Sequence, residues 1–171
     1  VAGMRGKQTV RDMMLSILVM GVVVAGLYIF LPHGGTDPVK TVSYNVELGQ
    51  ARHAAPYPVA APEGLPKQWR ATSVTYDGSD PKASTWHLGF IDPQGQYASV
   101  DQSNGAAGAF VSTTTQQSTR HGTQTVAGQT WDRYTGGRYQ ALARTEHGVT
   151  TVVDGTAPFS QLAELAAALR T

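Results

Sequence analysis

The chain has 171 residues, of which 13 are Lys or Arg and 12 are Asp or Glu, and it contains no Cys. Without cysteine there is no disulfide framework, no thiolate nucleophile, no Cys-held zinc or iron–sulfur centre and no lipid-modified Cys anchor. Three of the thirteen basic residues and one of the twelve acidic ones precede Met13, leaving ten against eleven. That balance offers no field for nucleic acid or another anionic surface, so nucleic acid is excluded as a partner.

Residues 1–12 carry Arg5, Lys7 and Arg11 against Asp12 alone. From Met13 to Leu31 the chain reads MMLSILVMGVVVAGLYIFL, nineteen residues without a charge. At about 1.5 Å per residue a helix of this length crosses a hydrocarbon layer of roughly 30 Å. The next basic residue is Lys40. The positive-inside rule then predicts residues 1–12 in the cytoplasm, 13–31 as a transmembrane signal anchor in the cell membrane, and everything beyond it outside. The long apolar run ends in Phe-Leu-Pro-His, which suits an uncleaved anchor better than a secretory leader. Gly21 and Ala25 are spaced for close helix packing, although a lipid-facing anchor accounts for them more simply.

Residues 32–40, with two prolines and two glycines, read as a linker, and 41–171 as one extracytoplasmic domain. VSYNVE alternates at Val42, Tyr44 and Val46 and predicts a half-buried strand. ELGQARHAA suits a short helix with Leu48, Ala51 and Ala55 on one side. PYPVAAPEGLP holds four prolines and is extended or turning. Strands follow at Trp69–Tyr76, over TWHLGFID and over QYASV, with turns at Asp77-Gly78 and Pro93-Gln94-Gly95. Trp86, Leu88 and Phe90 share one face and His87 takes the other. Ala106–Thr113 allows one or two helical turns. TQTV, QTWDRY, YQALARTE and VTTVVDG are then separated by turns near Ala127-Gly128, Gly136-Gly137 and His147-Gly148. These turns are too short for a crossover, so the strands pair antiparallel. A last helix over Ala157–Arg170, capped by Thr156 with Pro158 in its first turn, presents Phe159, Leu162, Leu165, Ala166 and Leu169 as one stripe. The fold class is α+β: a transmembrane helix, then a twisted antiparallel sheet with the last helix packed on one face.

The basic N-terminus, the single span and the spaced segments PYPVAAPEGLPKQWRATSV, TWHLGFIDPQGQYASVDQSNG, VAGQTWDRY and LAELAAALR resemble an actinobacterial membrane family known as domain of unknown function 4245. The resemblance runs over nearly the whole chain. It implies a single-pass membrane protein with an extracytoplasmic domain and brings no activity with it. At the level of fold alone, a Pro-x-Gly segment leading into a Trp strand, a meander and a helix is similar to the αβα domains of the Mog1/PsbP type, which warrants no function.

No catalytic set is legible. Ser79-Asp80-Pro81-Lys82 matches S-x-x-K, but Pro81 and the flanking strands make it a turn and not the start of a helix. There is no G-x-S-x-G elbow, phosphate-binding loop or H-E-x-x-H. Composition alone leaves a Ser-His-Asp triad open. Among the five histidines none is paired at ligand spacing, and only the fold can gather His87 and His121 with Asp101. No metal and no cofactor is therefore expected. Arg133, Arg138 and Arg144 fall on neighbouring strands, where a solvated face explains them better than a basic patch. The binding candidates are His87 with Arg133 or Arg144, on the sheet face away from the last helix. The expected role is a non-catalytic domain, tethered to the bilayer, that binds another envelope protein or supports a membrane complex. The alternative is a small-molecule or lipid binder with a pocket between sheet and helices, and an unrecognised hydrolase comes third.

Overall fold

A computed structural model describes residues 5–30 and 40–171. Leu31 and the expected linker, apart from Lys40, lie outside the described residues. The chain divides into a unit ending at Pro38 and a unit beginning at Val39. The first holds helix α1, Arg5–Phe30. Over Val10–Tyr28 it is long and apolar enough to cross a membrane, and none of that stretch is buried. Beyond Asp12 that surface carries no charge, and with no protein packed on it such a surface is what lipid accommodates and water does not.

At the start of the second unit the strand expected from VSYNVE, over Val42–Val46, is absent. Val42 and Tyr44 do pack against the core, and the Val42 N–H donates to the Ala71 carbonyl at 2.8 Å. The chain then enters helix α2, Asn45–Ala54, with Glu47 in the first turn where the helix dipole favours it. Val46 is thereby left 68% exposed. As the periodicity suggested, α2 buries Ala51 and packs Leu48 on the core.

The proline-rich segment is a buried strap. Val59, Ala60 and Ala61 are almost fully enclosed. The Ala60 N–H donates to Gln102 Oε1 at 2.7 Å, and Trp86 Nε1 donates to the Ala60 carbonyl at 3.0 Å. The Tyr57 hydroxyl reaches the carbonyls of Ser84 and Gln102 at 3.3 and 3.2 Å. Prolines remove donors that a surface loop would leave to water, and the remaining polar groups find partners on the sheet. The strap includes the short strand β1, Ala61–Pro62.

Then come β2, Arg70–Asp77; β3, Thr85–Ile91; β4, Tyr97–Ser103; helix α3, Ala107–Thr114; β5, Thr119–Val126; β6, Gln129–Thr135; β7, Gln140–Glu146; β8, Val149–Gly155; helix α4, Phe159–Ala168; and β9, Leu169–Arg170. Strands β2 to β8 form one sheet in the order β2-β3-β4-β8-β7-β6-β5, antiparallel throughout. Strand β9 pairs with β1 in a separate ladder. Two of the hairpins turn on Ala127-Gly128 and His147-Gly148, all four residues at positive φ. That is the primed turn whose twist matches its flanking strands. Strand β5 starts earlier than TQTV, with a register shift between Arg120 and Thr123. Ser79–Lys82 is a turn held by Asp77 and Asp80, whose Oδ1 atoms accept the N–H of Ser79 and Lys82 at 2.9 Å.

One sheet face carries Trp86, Leu88, Phe90, Ala98, Val100, Trp131, Leu142 and Val153, under Leu162, Leu165 and Ala166 of α4. On the other, Ala141, Ala143 and Val152 lie beneath Val111 and Phe110 of α3. The last helix is shorter than expected, with Pro158 at its N-cap and no side-chain cap. Thr156 instead accepts the Tyr97 N–H at 3.1 Å, which ties the end of β8 to the start of β4.

Candidate functional site

Two places on the sheet hold polar side chains that its core does not explain. The first is on the face bearing α3. Register pairs His87 with Asp101 and Ser99 with Asp154, and sets Ser73 opposite Gly89. His87 Nδ1 lies 2.8 Å from Asp101 Oδ1, and Nε2 lies 2.9 Å from Ser73 Oγ. Ser99 Oγ donates to Asp154 Oδ1 at 2.7 Å. Burial lowers the basicity of His87, but the hydrogen bond and charge of Asp101 outweigh it, and the net shift is upward. Asp154 is 1% exposed. Burial first, and then the charge of Asp101, push its carboxyl up to about 8 against the weaker pull of Ser99. Burial likewise pushes the Tyr97 phenol up to about 12, so it stays a donor. At neutral pH the Asp154 carboxyl thus keeps its proton.

The second place is on the α4 face. Gln102, Thr151 and Arg144 are register partners across β4, β8 and β7. With Trp131 of β6 they floor a cleft of about 760 Å³. Its walls are Pro56, Tyr57 and Pro58 of the strap and Leu169 and Arg170 beyond α4. The cleft exists because α4 gives way to β9 at Leu169, which leaves this row of the sheet uncovered. Gln102 Nε2 donates to Thr151 Oγ1 at 3.0 Å. Arg144 forms an ion pair with Glu146 and lies 6.0 Å from the Trp131 ring centroid. Trp131 is 4% exposed, and its buried Nε1 has no hydrogen-bond partner.

His87 and the two arginines are not brought together. Arg133 and Arg144 lie on the α4 face, opposite His87. Arg133 Cζ is 3.8 Å from the Phe159 ring centroid, so this guanidinium clamps the start of α4. Arg138 lies over Tyr139, and no patch forms from the three. His121 is on β5, at the sheet edge remote from His87. Among the described residues no group of three His, Asp or Glu stands ready to hold a metal. The residues missed are Ser73 and Asp154 on one face and the strap on the other. Arg133 carried a usable signal, since it is two residues from Trp131 and must share its face.

A family model described as "Protein of unknown function (DUF4245)" matches residues 5–169. No curated protein matches the chain. Among solved structures, the crystal structure of MucB in complex with MucA(peri) is similar at 17% identity and a TM-score of 0.38, over 65% of this chain. The match spans about a third of that protein's length, at 35%.

Proposed function

For a chain that belongs to the DUF4245 family of proteins of unknown function, we propose a membrane-anchored extracytoplasmic binding domain whose cleft takes an extended segment of another envelope protein. In this reading α1 remains in the cell membrane, residues 1–12 are cytoplasmic, and the unit from Lys40 stands outside. The cleft of about 760 Å³ is the observation that carries it. Its floor and rim offer Gln102, Asn104, Gln129 and Thr151 beside Tyr57 and Trp131. Amide and hydroxyl groups suit the peptide backbone, and aromatic walls suit its side chains. Beyond α1, Val46 is the one large hydrophobic side chain that is strongly exposed among the described residues. A flat apolar docking surface is therefore not on offer, and the cleft is where a partner can bury area. A small molecule or lipid is the second reading, because the volume also falls within the range of small-ligand pockets.

The orientation is tested first, using the absence of cysteine. Ser79→Cys, in an exposed turn, is expected to react with a membrane-impermeant maleimide on intact cells. Labelling only after lysis overturns the extracytoplasmic placement. For the cleft, a photo-crosslinking amino acid at the exposed position of Gln129 in the full-length protein should capture a protein segment in native membranes. Gln129→Trp, which fills the rim, should weaken co-purification of that partner by about tenfold or more, the equivalent of roughly 1.4 kcal/mol. A lipid or metabolite adduct supports the second reading. No adduct above that given by the same crosslinking amino acid placed at Ser79, in the exposed turn, sinks both.

A further inference from the structure

We propose that Ser73, His87 and Asp101 form a general-base-activated serine nucleophile on the sheet face that bears α3, with an acyl ester as substrate. The site is on the face opposite the cleft and stands whether or not the cleft binds a partner.

The hydrogen bonds dictate the tautomer. An ionised Asp101 only accepts, so the proton of neutral His87 must sit on Nδ1, 2.8 Å from Asp101 Oδ1. That leaves the Nε2 lone pair facing Ser73 Oγ at 2.9 Å, within reach of its hydroxyl proton. A nucleophile, a base and a group that orients the base are thus supplied by three adjacent strands. The half-buried positions of Ser73, His87 and Asp101 keep the array within reach of a substrate from solvent.

Gly89 brings the other requirement close. A side chain at Gly89 would run into Ser73 Oγ and come within 3.1 Å of the Tyr97 hydroxyl. The two hydroxyls close over Gly89 and leave no room for a methyl group, so a substrate carbonyl must approach from outside them. Tyr97, held protonated by its environment, is the donor placed for the oxyanion that forms beside Ser73 Oγ. Gly89 itself is paired with Ser73 on one side and Ser99 on the other, so its backbone belongs to a continuous ladder and offers no free pair of amides. One phenolic donor is enough for an ester with a good leaving group and weak for an amide, which decides the substrate class.

The step balances without any further reagent. Ser73 Oγ attacks the acyl carbon while its proton passes to Nε2, the ester C–O bond breaks, and the departing alkoxide takes that proton. Water then attacks acyl-Ser73 by the same route and releases the acid. The charge of His87 is set by Asp101 on β4; on the same face lie Asp154 beyond it on β8, and Ser73, Thr75 and Asp77 on β2. Asp77 Oδ1 is engaged by the Ser79 N–H, and α3 carries no ionisable side chain.

The test uses full-length protein in detergent micelles with an alkyl fluorophosphonate, whose fluoride is displaced when the serine attacks phosphorus. Mass spectrometry should place the adduct on Ser73. His87→Gln should slow labelling by about 100-fold or more, with tryptophan fluorescence confirming that the variant is folded. The wild-type labelling rate requires no variant and should rise with pH through a midpoint above the ordinary histidine value of 6.5, because Nε2 must be unprotonated. The same preparation should hydrolyse p-nitrophenyl butyrate with that pH profile. An adduct spread over exposed serines, a rate indifferent to His87→Gln, or a flat pH profile overturns the proposal.

Discussion

Gly155→Ala lowers the thermal midpoint of the folded unit by roughly 10–20 °C. The position is the last residue of β8, with φ at +152°, a conformation that side chains rarely adopt. Strain of that kind costs on the order of 1–3 kcal/mol. The added Cβ would also run into the Tyr97 carbonyl oxygen, and would stand 2.8 Å from the Tyr97 carbonyl carbon and 2.9 Å from Ala98 Cα. These are backbone atoms, so no rotamer change relieves the clash. Nor can either strand draw back. Gly155 is paired with Ala98 on one side and Gln140 on the other. Tyr97 is bound twice just beyond it, its N–H by Thr156 Oγ1 at 3.1 Å and its carbonyl by the Ala157 N–H at 3.0 Å. Overpacking adds about 1–3 kcal/mol, and the sum is a large part of the roughly 5–15 kcal/mol by which domains are stable.

Gly95→Ala separates the two causes. Gly95 also has positive φ, at +78°, but nothing lies within 4 Å of its missing Cβ. It should lose only a few degrees. All three tryptophans, Trp69, Trp86 and Trp131, lie in the folded unit, so their fluorescence follows its unfolding in the full chain without interference from α1. Equal losses at the two positions would mean that crowding at Gly155 is relieved by movement of β4.

Most of the sheet was legible because local rules decide it. Short turns force antiparallel neighbours, and the spacing of Leu162, Leu165 and Ala166 gives α4 one apolar side. Failures came where three residues or fewer carried the pattern. Val42, Tyr44 and Val46 alternate, yet a helix beginning at Asn45 satisfies the first two on the core and strands the third in solvent. The strap reads as extended but not as buried, because its partners, Gln102, Ser84 and Trp86, are 26–45 positions away in sequence. The site suffered from the same remoteness. His87 was placed on the correct face by alternation within β3, but its partners Ser73 and Asp101 belong to other strands, where inter-strand register decides who meets whom. Asp154 reads as the polar residue before a turn glycine. Only the pairing of β4 with β8 shows that it is buried against Ser99 and Asp101.

That burial sets the second large effect. Wild-type stability should fall as pH rises from about 4 to about 8, and Asp154→Asn should abolish most of the slope. The sign follows from proton counting. The Asp154 carboxyl has an ordinary value of 3.8 and is pushed up to about 8 in the fold. Between those values the folded chain keeps a proton that the unfolded chain has released, so each rise in pH favours unfolding. A fully retained proton contributes a slope of about 1.4 kcal/mol per pH unit, so the total across the window is on the order of a few kcal/mol. His87 acts in the same direction in a narrower range. Its value is also raised, so its contribution is complete below 6.5 and disappears as pH passes the folded value. Asparagine at 154 imitates the neutral acid, since its oxygen can accept from Ser99 and its amide can donate to Asp101. Wild type and variant should therefore unfold alike near pH 4, and at pH 8.5 the variant should be the more stable by several degrees. The residual slope above pH 6.5 then belongs to His87. Parallel curves for the two proteins would mean that Asp154 is ionised in the fold at neutral pH, with a positive counter-charge outweighing burial and the repulsion of Asp101.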